Sequence, residues 1–583
     1  MFKRLRPLAP YLKRYWKSLA WGGVSTIFYN VIKVLLPLVI GHAIDDMHHG
    51  MTEAKVMHHA LRLLALAVGS AVFLYITRQV VIGVSRQIEF DLRNDMFSNL
   101  ERQSANYYHT HRTGDIMART TNDLNAVRQL LGPAIMYSAN TIVFTAAALP
   151  FMYRISPKLT FFAFVPLPLA SILVQYFGNR IHKRFERIQA MFSDISAKAQ
   201  ENFSGARLIR AFAQEEAEIA SFETANKEYI RRSLLLVRLM AMLWPTLEFV
   251  LGLSLMITLL VGGHEVISHR IKTVGEFTSF SVYMVQLTWP MIAVGWVVNL
   301  FQRGTASVVR IDELLKQEPE IKDEEGAGLS KGGIAGSISF RDLNFAYSAG
   351  TPVLTDINLD VPAGSSLAIV GPTGSGKSTL VNLIARLHDA APGMVLIDDE
   401  PVRNFKLEEL RRSIGFVPQE TFLFSSTIRE NIAFGVEDVT EEEIEAAAVT
   451  AHIRTEILEF PKGFGTIVGE RGVTLSGGQK QRTAIARAVI RDPRILVLDD
   501  ALASVDTYTE EQILSGLRKV MRGRTTVLIA HRVSTARSAN QIAVLVQGRI
   551  AELGTHEELL ARGGYYTGLF EKQQLEEELA VTS

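Results

Sequence analysis

The chain has 583 residues, 48% of them hydrophobic and 21% charged, with a mean hydropathy of +0.15. So apolar a composition, with no Gly or Pro period, excludes disordered and fibrous classes and points to membrane segments. Lys and Arg total 61 against 60 Asp and Glu, which gives no electrostatic case for nucleic acid as partner, and the absence of Cys excludes disulfides, thiolate metal sites and thiol nucleophiles.

A basic N-terminus (Lys3, Arg4, Arg6, Lys13, Arg14, Lys17) without a visible signal-cleavage site leads into the first of six apolar spans. The spans lie at roughly 19–44, 60–84, 130–153, 158–177, 243–267 and 274–301. Each has the length of about 20 residues that a bilayer requires, and a helix can cross because its backbone hydrogen bonds close internally. Residues 241–263 carry a single charge, Glu248, which argues against a soluble helical core. Residues 85–129 hold six arginines and 179–238 are also basic, whereas 45–59 holds one lysine. The positive-inside rule puts the N-terminus, both long loops and everything after span six in the cytoplasm, with 45–59 outside. The expectation is a multi-pass protein of the cytoplasmic (inner) membrane.

At 320–336 the composition turns acidic and then glycine-rich (EIKDEEGAGLSKGGIAG), the signature of a linker. Beyond it, strand-like runs (SISFRDLNFAY, SLAIVG, RILVLDD, TTVLIA, QIAVLVQG) alternate with helical patterns, which predicts an α/β domain with a largely parallel sheet. The expected division is a membrane domain over 1–319, a linker over 320–336 and an α/β domain over 337–583.

Gly371, Pro372, Thr373, Gly374, Ser375, Gly376, Lys377 and Ser378 fit the phosphate-binding loop G-x-x-x-x-G-K-[ST], after a strand-like run and before a helix-like one that opens with Thr379. Glycines let backbone N–H groups close round phosphates. Lys377 reaches the β- and γ-phosphates and Ser378 holds Mg²⁺ in such a loop. Further on, Ser476, Gly477, Gly478 and Gln479 in LSGGQ open a helix-like stretch. A helix N-terminus with backbone donors suits phosphate, though a plain N-cap turn fits that short run equally. RILVLDD then ends a buried strand on Asp499, where a P-loop fold places the carboxylate that organises Mg²⁺.

The order GPTGSGKS, Gln419 in GFVPQE, LSGGQ, RILVLDD, Ser504-Val505-Asp506 and IAHR with His531 resembles ATP-binding cassette transporters, and the six spans ahead of it look like the membrane half of an exporter. The resemblance covers essentially the whole chain. It implies six exporter-type transmembrane helices plus an α/β P-loop nucleotide-binding domain, with ATP and Mg²⁺ as cofactors. Tyr347 would stack on adenine, Gln419 would sense the γ-phosphate and share Mg²⁺ with Ser378 and Asp499, and His531 would contact the γ-phosphate. LSGGQ would contact ATP held by the other subunit's P-loop, with Asp506 at the cassette–cassette contact. The segments 112–124 and 201–215 resemble exporter segments that touch the cassette, and a short loop-tip helix capped by Thr113 or Asp115 is expected in the first. The implied activity is ATP-driven export of hydrophobic or amphipathic compounds by alternating access in a dimer. A lipid flippase on the same scaffold, or a subunit that binds ATP for regulation, are the alternatives.

One position departs from the family. A Glu usually follows the Mg²⁺ Asp and polarises the attacking water; here it is Asp500, one methylene shorter. LDDALASVD looks like the degenerate-site half of bacterial heterodimeric multidrug exporters, which favours a second, different half-transporter as partner over a homodimer. Within the spans, Lys33, Arg78, Gln79, Glu248, Gln286, Trp289 and Trp296 are polar or aromatic candidates. Two readings compete for them: a pocket for cationic amphiphiles built on a carboxylate and aromatics, or a structural role in which Lys33 or Arg78 pairs with Glu248 or snorkels toward an interface.

Overall fold

The structure, a computed structural model, describes residues 2–324, 326–328, 333–347, 350–469, 472, 474–502 and 507–582. It divides into two units, Met1–Glu101 with Arg112–Gln317 and Arg102–His111 with Glu318–Ser583.

The first unit is built on six long helices: α1 Trp16–His49, α2 Glu53–Glu101, α3 Thr113–Ile155, α4 Pro157–Ser204, α5 Glu215–Ile267 and α6 Val274–Leu315. Each contains one of the predicted apolar spans and is long and apolar enough to cross a membrane. All six outrun their spans, because the flanking sequence is helix-forming and polar. Helices α1 and α6 cross closely at small residues. A Cβ on Gly41 would lie 2.1 Å from Ser279 Oγ, and Ser279 Oγ donates to the Pro37 carbonyl at 2.8 Å. Small residues at a crossing let helices gain dispersion contact where lipid offers no hydrophobic drive.

The two loop segments differ from expectation in one respect. Residues 113–124 are the start of α3 and not a separate loop-tip helix, and neither Thr113 nor Asp115 caps it. Arg112 is the N-cap residue, with no side-chain cap bond. Asp115 instead accepts from Arg119 Nε at 3.0 Å, one turn on, an i,i+4 pair that helix geometry favours over capping. The short loop helix lies just upstream, at Ala105–Thr110, and belongs to the second unit. In the other loop a short helix, Ala206–Ala211, separates α4 from α5 and exposes Leu208 and Phe212.

The second unit has two sheets. Strands β1 Ile338–Phe345, β2 Leu354–Val361, β4 Val395–Ile397 and β5 Glu400–Pro401 form an antiparallel sheet in the order β2-β1-β4-β5. The other sheet contains β3 Ser366–Val370, β6 Ile414–Val417, β7 Ile495–Asp499, β8 Thr525–Ile529, β9 Gln541–Val546 and β10 Arg549–Gly554, in the order β10-β9-β3-β8-β7-β6. Only the β10–β9 pairing is antiparallel there. Strands β3, β7 and β8 are buried at every position, as expected of parallel strands covered on both faces. Helices α7 Lys377–Ile384, α8 Gly477–Val489 and α9 Thr507–Met521 belong to this unit.

The described residues of 320–336 are anchored by tertiary contacts. Ile321 is buried. Glu320 accepts from Ser104 Oγ at 3.1 Å and Asn106 Nδ2 at 3.2 Å, tying the Ala105–Thr110 segment to the start of the unit. Asp323 accepts from the Leu407 backbone N–H, and Asp398 accepts from the N–H groups of residues 335 to 337. These partners hold the described residues of the acidic and glycine-rich stretch on the α/β unit.

Candidate active site

Strand β3 runs directly into the glycine-rich loop, and the loop into α7. The turn needs glycine at two of its positions. Gly371 has φ +151° and a Cβ there would lie 2.1 Å from the Leu545 carbonyl, while Gly376 has φ +98° and a Cβ 2.8 Å from the Leu354 side chain. No other residue fits both the left-handed backbone and the close approach. The loop closes on itself through Lys377, whose Nζ donates to the Gly371 and Pro372 carbonyls at 3.0 and 2.9 Å.

Four sequence-distant segments meet at a cavity of about 220 Å³. Thr373, Gly374, Gly376, Lys377, Ser378 and Thr379 line one side; Gln419 beyond β6, Asp499 and Asp500 at the end of β7, and His531 beyond β8 line the other. Parallel strands place all these loops at their carboxyl ends, where such sheets bind ligands. Ser378 Oγ donates to Asp499 Oδ1 at 3.0 Å. The Asp500 carboxylate lies 3.7 Å from His531 Nε2 and shares the cavity wall with Gln419. Asp500 has φ +50°, a left-handed conformation that Asp tolerates better than most side chains.

The electrostatics follow from burial. Lys377 is 7% exposed, and desolvation lowers its pKa against the pull of Asp500 and Asp499. Burial raises Asp499 against the Ser378 hydrogen bond, and raises Asp500 against His531 and Lys377. A buried amine beside one buried and one half-buried carboxylate is a site built for a further polyanion and cation. The fit is specific. Ser375 Oγ is buried with no hydrogen-bond partner among the described residues, and the lysine's own bonds go only to loop carbonyls that a phosphate group can replace. The Ser378 and Asp499 oxygens are the hard donors that Mg²⁺ takes alongside phosphate oxygens.

Tyr347 stands next to the loop, half-exposed, with its hydroxyl 2.8 Å from Thr379 Oγ1. Its ring packs edge-on against Phe345 and His388, at 5.2 and 5.0 Å between centroids, so its orientation is fixed. Thr379 and His388 were not visible as its partners in the sequence, because neither carries a motif.

LSGGQ lies apart from this cavity. Ser476 caps α8 in a full capping box: its hydroxyl accepts from Gln479 N–H at 3.2 Å, and Gln479 Oε1 accepts from Ser476 N–H at 2.9 Å. Gln479 Nε2 and Arg482 both donate to Glu456, a residue that sequence reasoning missed. Ser476 and Gly477 are exposed, and none of residues 476–479 lines the P-loop cavity. Asp506, with Ser504 and Val505, lies outside the described residues.

The sequence matches the ABC transporter transmembrane region over residues 19–291 and the ABC transporter family over 354–503. It is 36% identical over 579 residues to the probable multidrug resistance ABC transporter ATP-binding/permease protein YheI of Bacillus subtilis strain 168, covering 99% of this chain and 98% of that one.

The chain belongs to the ABC transporters.

The multidrug resistance-like ATP-binding protein MdlA of Escherichia coli K12 is 35% identical, over 98% of this chain and 97% of its own. The ATP-dependent lipid A-core flippase of Syntrophus aciditrophicus is 36% identical, over 99% and 95%. In three dimensions the chain resembles a bacterial Atm1-family ABC exporter with ATP bound, with a TM-score of 0.79, 28% identity, and coverage of 96% of this chain and 99% of that one. This ABC transporter is therefore a multi-pass membrane protein with its ATP hydrolase fused to the transmembrane region in one chain.

Of the candidates in its membrane helices, Lys33, Arg78 and Trp289 line one cavity together. Glu248 and Gln79 are exposed and do not line it. Trp296 packs edge-on against Tyr137 at 5.2 Å, and Gln286 Oε1 is buried with no partner among the described residues. Among the described residues Glu248 does not join this cavity, and neither Lys33 nor Arg78 forms an ion pair with it.

Proposed function

We propose that this chain is the degenerate half of a heterodimeric exporter, driven by ATP and acting on hydrophobic or amphipathic compounds. The observation that carries the proposal is Asp500 at the position of the family's base, on a short side chain beside Gln419 and His531. The amphipathic substrate class rests on the multidrug names of the relatives. The likeness to the lipid A-core flippase keeps a lipid as the alternative cargo.

In this reading Lys377 and the loop N–H groups neutralise the β- and γ-phosphates, while Ser378, Asp499 and Gln419 hold Mg²⁺, which supplies charge neutralisation for phosphoryl transfer when bound. Tyr347 presents its free ring face to adenine. His531 stands beside Asp500 at the γ-phosphate end of the cavity. Because Asp500 is about one C–C bond short of a Glu carboxylate (~1.5 Å), it orients water poorly and this site mainly holds ATP. The exposed Ser476 end of α8, which does not line its own P-loop cavity, completes the partner's site, with Asp506 at the contact between cassettes. Closure on two ATP molecules and hydrolysis at the partner's site drive alternating access. The N-terminus, the long loops and the ATP-binding unit are cytoplasmic, in the cytoplasmic (inner) membrane.

Affinity purification of the tagged chain from its native membranes tests the pairing. Recovery of one different half-transporter, with Glu after its Mg²⁺ Asp, is expected. Recovery of this chain alone as a dimer overturns the heterodimer. Uptake into inverted vesicles of a fluorescent dye against a fluorescent lipid then separates the two cargoes.

A further inference from the structure

The first unit also holds a partly open cavity, of about 130 Å³, lined from α1, α2, α3 and α6. Its chemistry is unusual for the interior of apolar helices. Two cationic side chains, Lys33 from α1 and Arg78 from α2, line it, and no Asp or Glu does. Neither cation has a carboxylate partner among the described residues. Lys33 Nζ lies over two aromatic faces, 4.8 Å from the Phe144 ring centre and 5.9 Å from that of Tyr29. Such faces soften the loss of water but do not replace a counter-ion.

The wall is also rigid and polar where it needs to be. Asn30 is buried and donates to the Thr26 carbonyl at 2.8 Å and to Asn140 Oδ1 at 2.9 Å, linking α1 to α3 beside the two cations. Trp289 closes the cavity from α6. Lys33 is half-buried and Arg78 is exposed on the cavity wall, and charged side chains within membrane helices mark substrate paths when no described carboxylate neutralises them. An Arg fork and a Lys point charge together match a phosphate or carboxylate group. The space equals about four waters at about 30 Å³ each, enough for a head group and too small for a whole amphiphile.

We propose that this cavity binds the anionic head group of an amphipathic substrate, with Lys33 and Arg78 as the charge-recognising residues and Tyr29, Phe144 and Trp289 receiving the start of its apolar chain. The proposal rests on the reading of the chain as an exporter of amphiphiles and narrows it. It reverses the sequence-based expectation of a cation pocket, because folding brings the two positive charges together and leaves Glu248 outside.

The test uses the purified full chain, with its partner if it has one, in nanodiscs of zwitterionic lipid. Binding of 1-oleoyl lysophosphatidate is compared with that of monoolein, which has the same chain and no charge, and with competition by inorganic phosphate. Lysophosphatidate should bind about tenfold more tightly than monoolein, and Lys33→Met or Arg78→Gln should each lower its affinity about tenfold while leaving monoolein unchanged. Lys33→Arg and Arg78→Lys should retain most of the affinity, which separates loss of charge from misfolding; ATP labelling of each variant at wild-type level confirms an intact chain. Displacement of lysophosphatidate by millimolar inorganic phosphate would make this a free-anion site and overturn the amphiphile proposal. Equal binding of the charged and neutral lipids, unaffected by the variants, overturns the anionic site and leaves the exporter reading standing. Failure of the wild-type chain to bind either lipid counts against both.

Discussion

The length of one side chain at position 500 decides which nucleotide site works. Asp500 stops about 1.5 Å short of where a Glu carboxylate would end, and in the structure it shares the cavity wall with Gln419 and lies 3.7 Å from His531. A misplacement of about 1 Å costs roughly a hundredfold in rate, equivalent to about 2.7 kcal/mol of barrier. The chain purified alone should therefore bind ATP but turn it over at least about a hundredfold more slowly than the same chain mixed with a Glu-bearing partner. In the mixed complex Asp500→Asn should change steady-state turnover little, whereas Ser476→Ala should reduce it strongly. The second change removes the cap of α8 at a stability cost of about 1 kcal/mol, which a 13-residue helix with a largely buried face withstands. Asp500→Glu should raise turnover at this site and lower stability by about 1 kcal/mol, since the left-handed backbone at 500 suits Glu less well than Asp. The assay is phosphate release under saturating Mg-ATP. Robust activity of the lone chain, abolished by Asp500→Asn, would refute the reasoning and make the protein a homodimer that uses Asp500 as its base.

The remaining expectations use other parts of the molecule. Lys377→Ala should weaken nucleotide photolabelling of this chain by about 2 kcal/mol in binding, the worth of a hydrogen bond to a charged group; unchanged labelling would discard the phosphate-cradle assignment. Tyr347→Phe removes only the bond to Thr379 and Tyr347→Trp keeps a stacking face, so both should retain ATP affinity that Tyr347→Ala loses by about 1 kcal/mol; equal affinities for all of them rule out stacking. Burial, and then the nearby His109, lower the pKa of His388, while Glu320 opposes them. The neutral ring is thus preferred in the fold, so its contribution is present above the ordinary pKa of about 6.5 and is lost as pH falls through the lowered value. Thermal unfolding between pH 7.5 and 5 should show an acid loss that His109→Gln reduces, and an identical profile for both proteins would exclude the contact. For topology, a cysteine is best placed at His48, which is exposed, and not at Gly50, whose φ of +112° disfavours a side chain. His48→Cys should react with an impermeant maleimide on intact cells, and reaction only after permeabilisation would invert the orientation.

Local pattern was enough to read six membrane helices and the P-loop from the sequence alone. The spans are continuous apolar stretches whose backbone bonds close within each helix, and GPTGSGKS is one contiguous turn whose glycines are required by its own backbone. Strand β7, which ends on Asp499, and β8, which precedes His531, were legible for the same reason, being short and largely apolar runs. Strands β2, β4, β5, β6 and β10 escaped notice because they are part-exposed or short and owe their state to cross-strand partners. The linker-like composition of 320–336 hid a packed segment, since Glu320 and Asp323 find donors more than 80 residues away in sequence. The meeting of Asp500 with His531 and Gln419, the grip of Glu456 on Gln479, and the gathering of Lys33 and Arg78 without Glu248 belong to the tertiary structure alone. Each depends on which helix face or strand end meets which, and spacing along a chain carries no information about contacts between elements that only packing brings together.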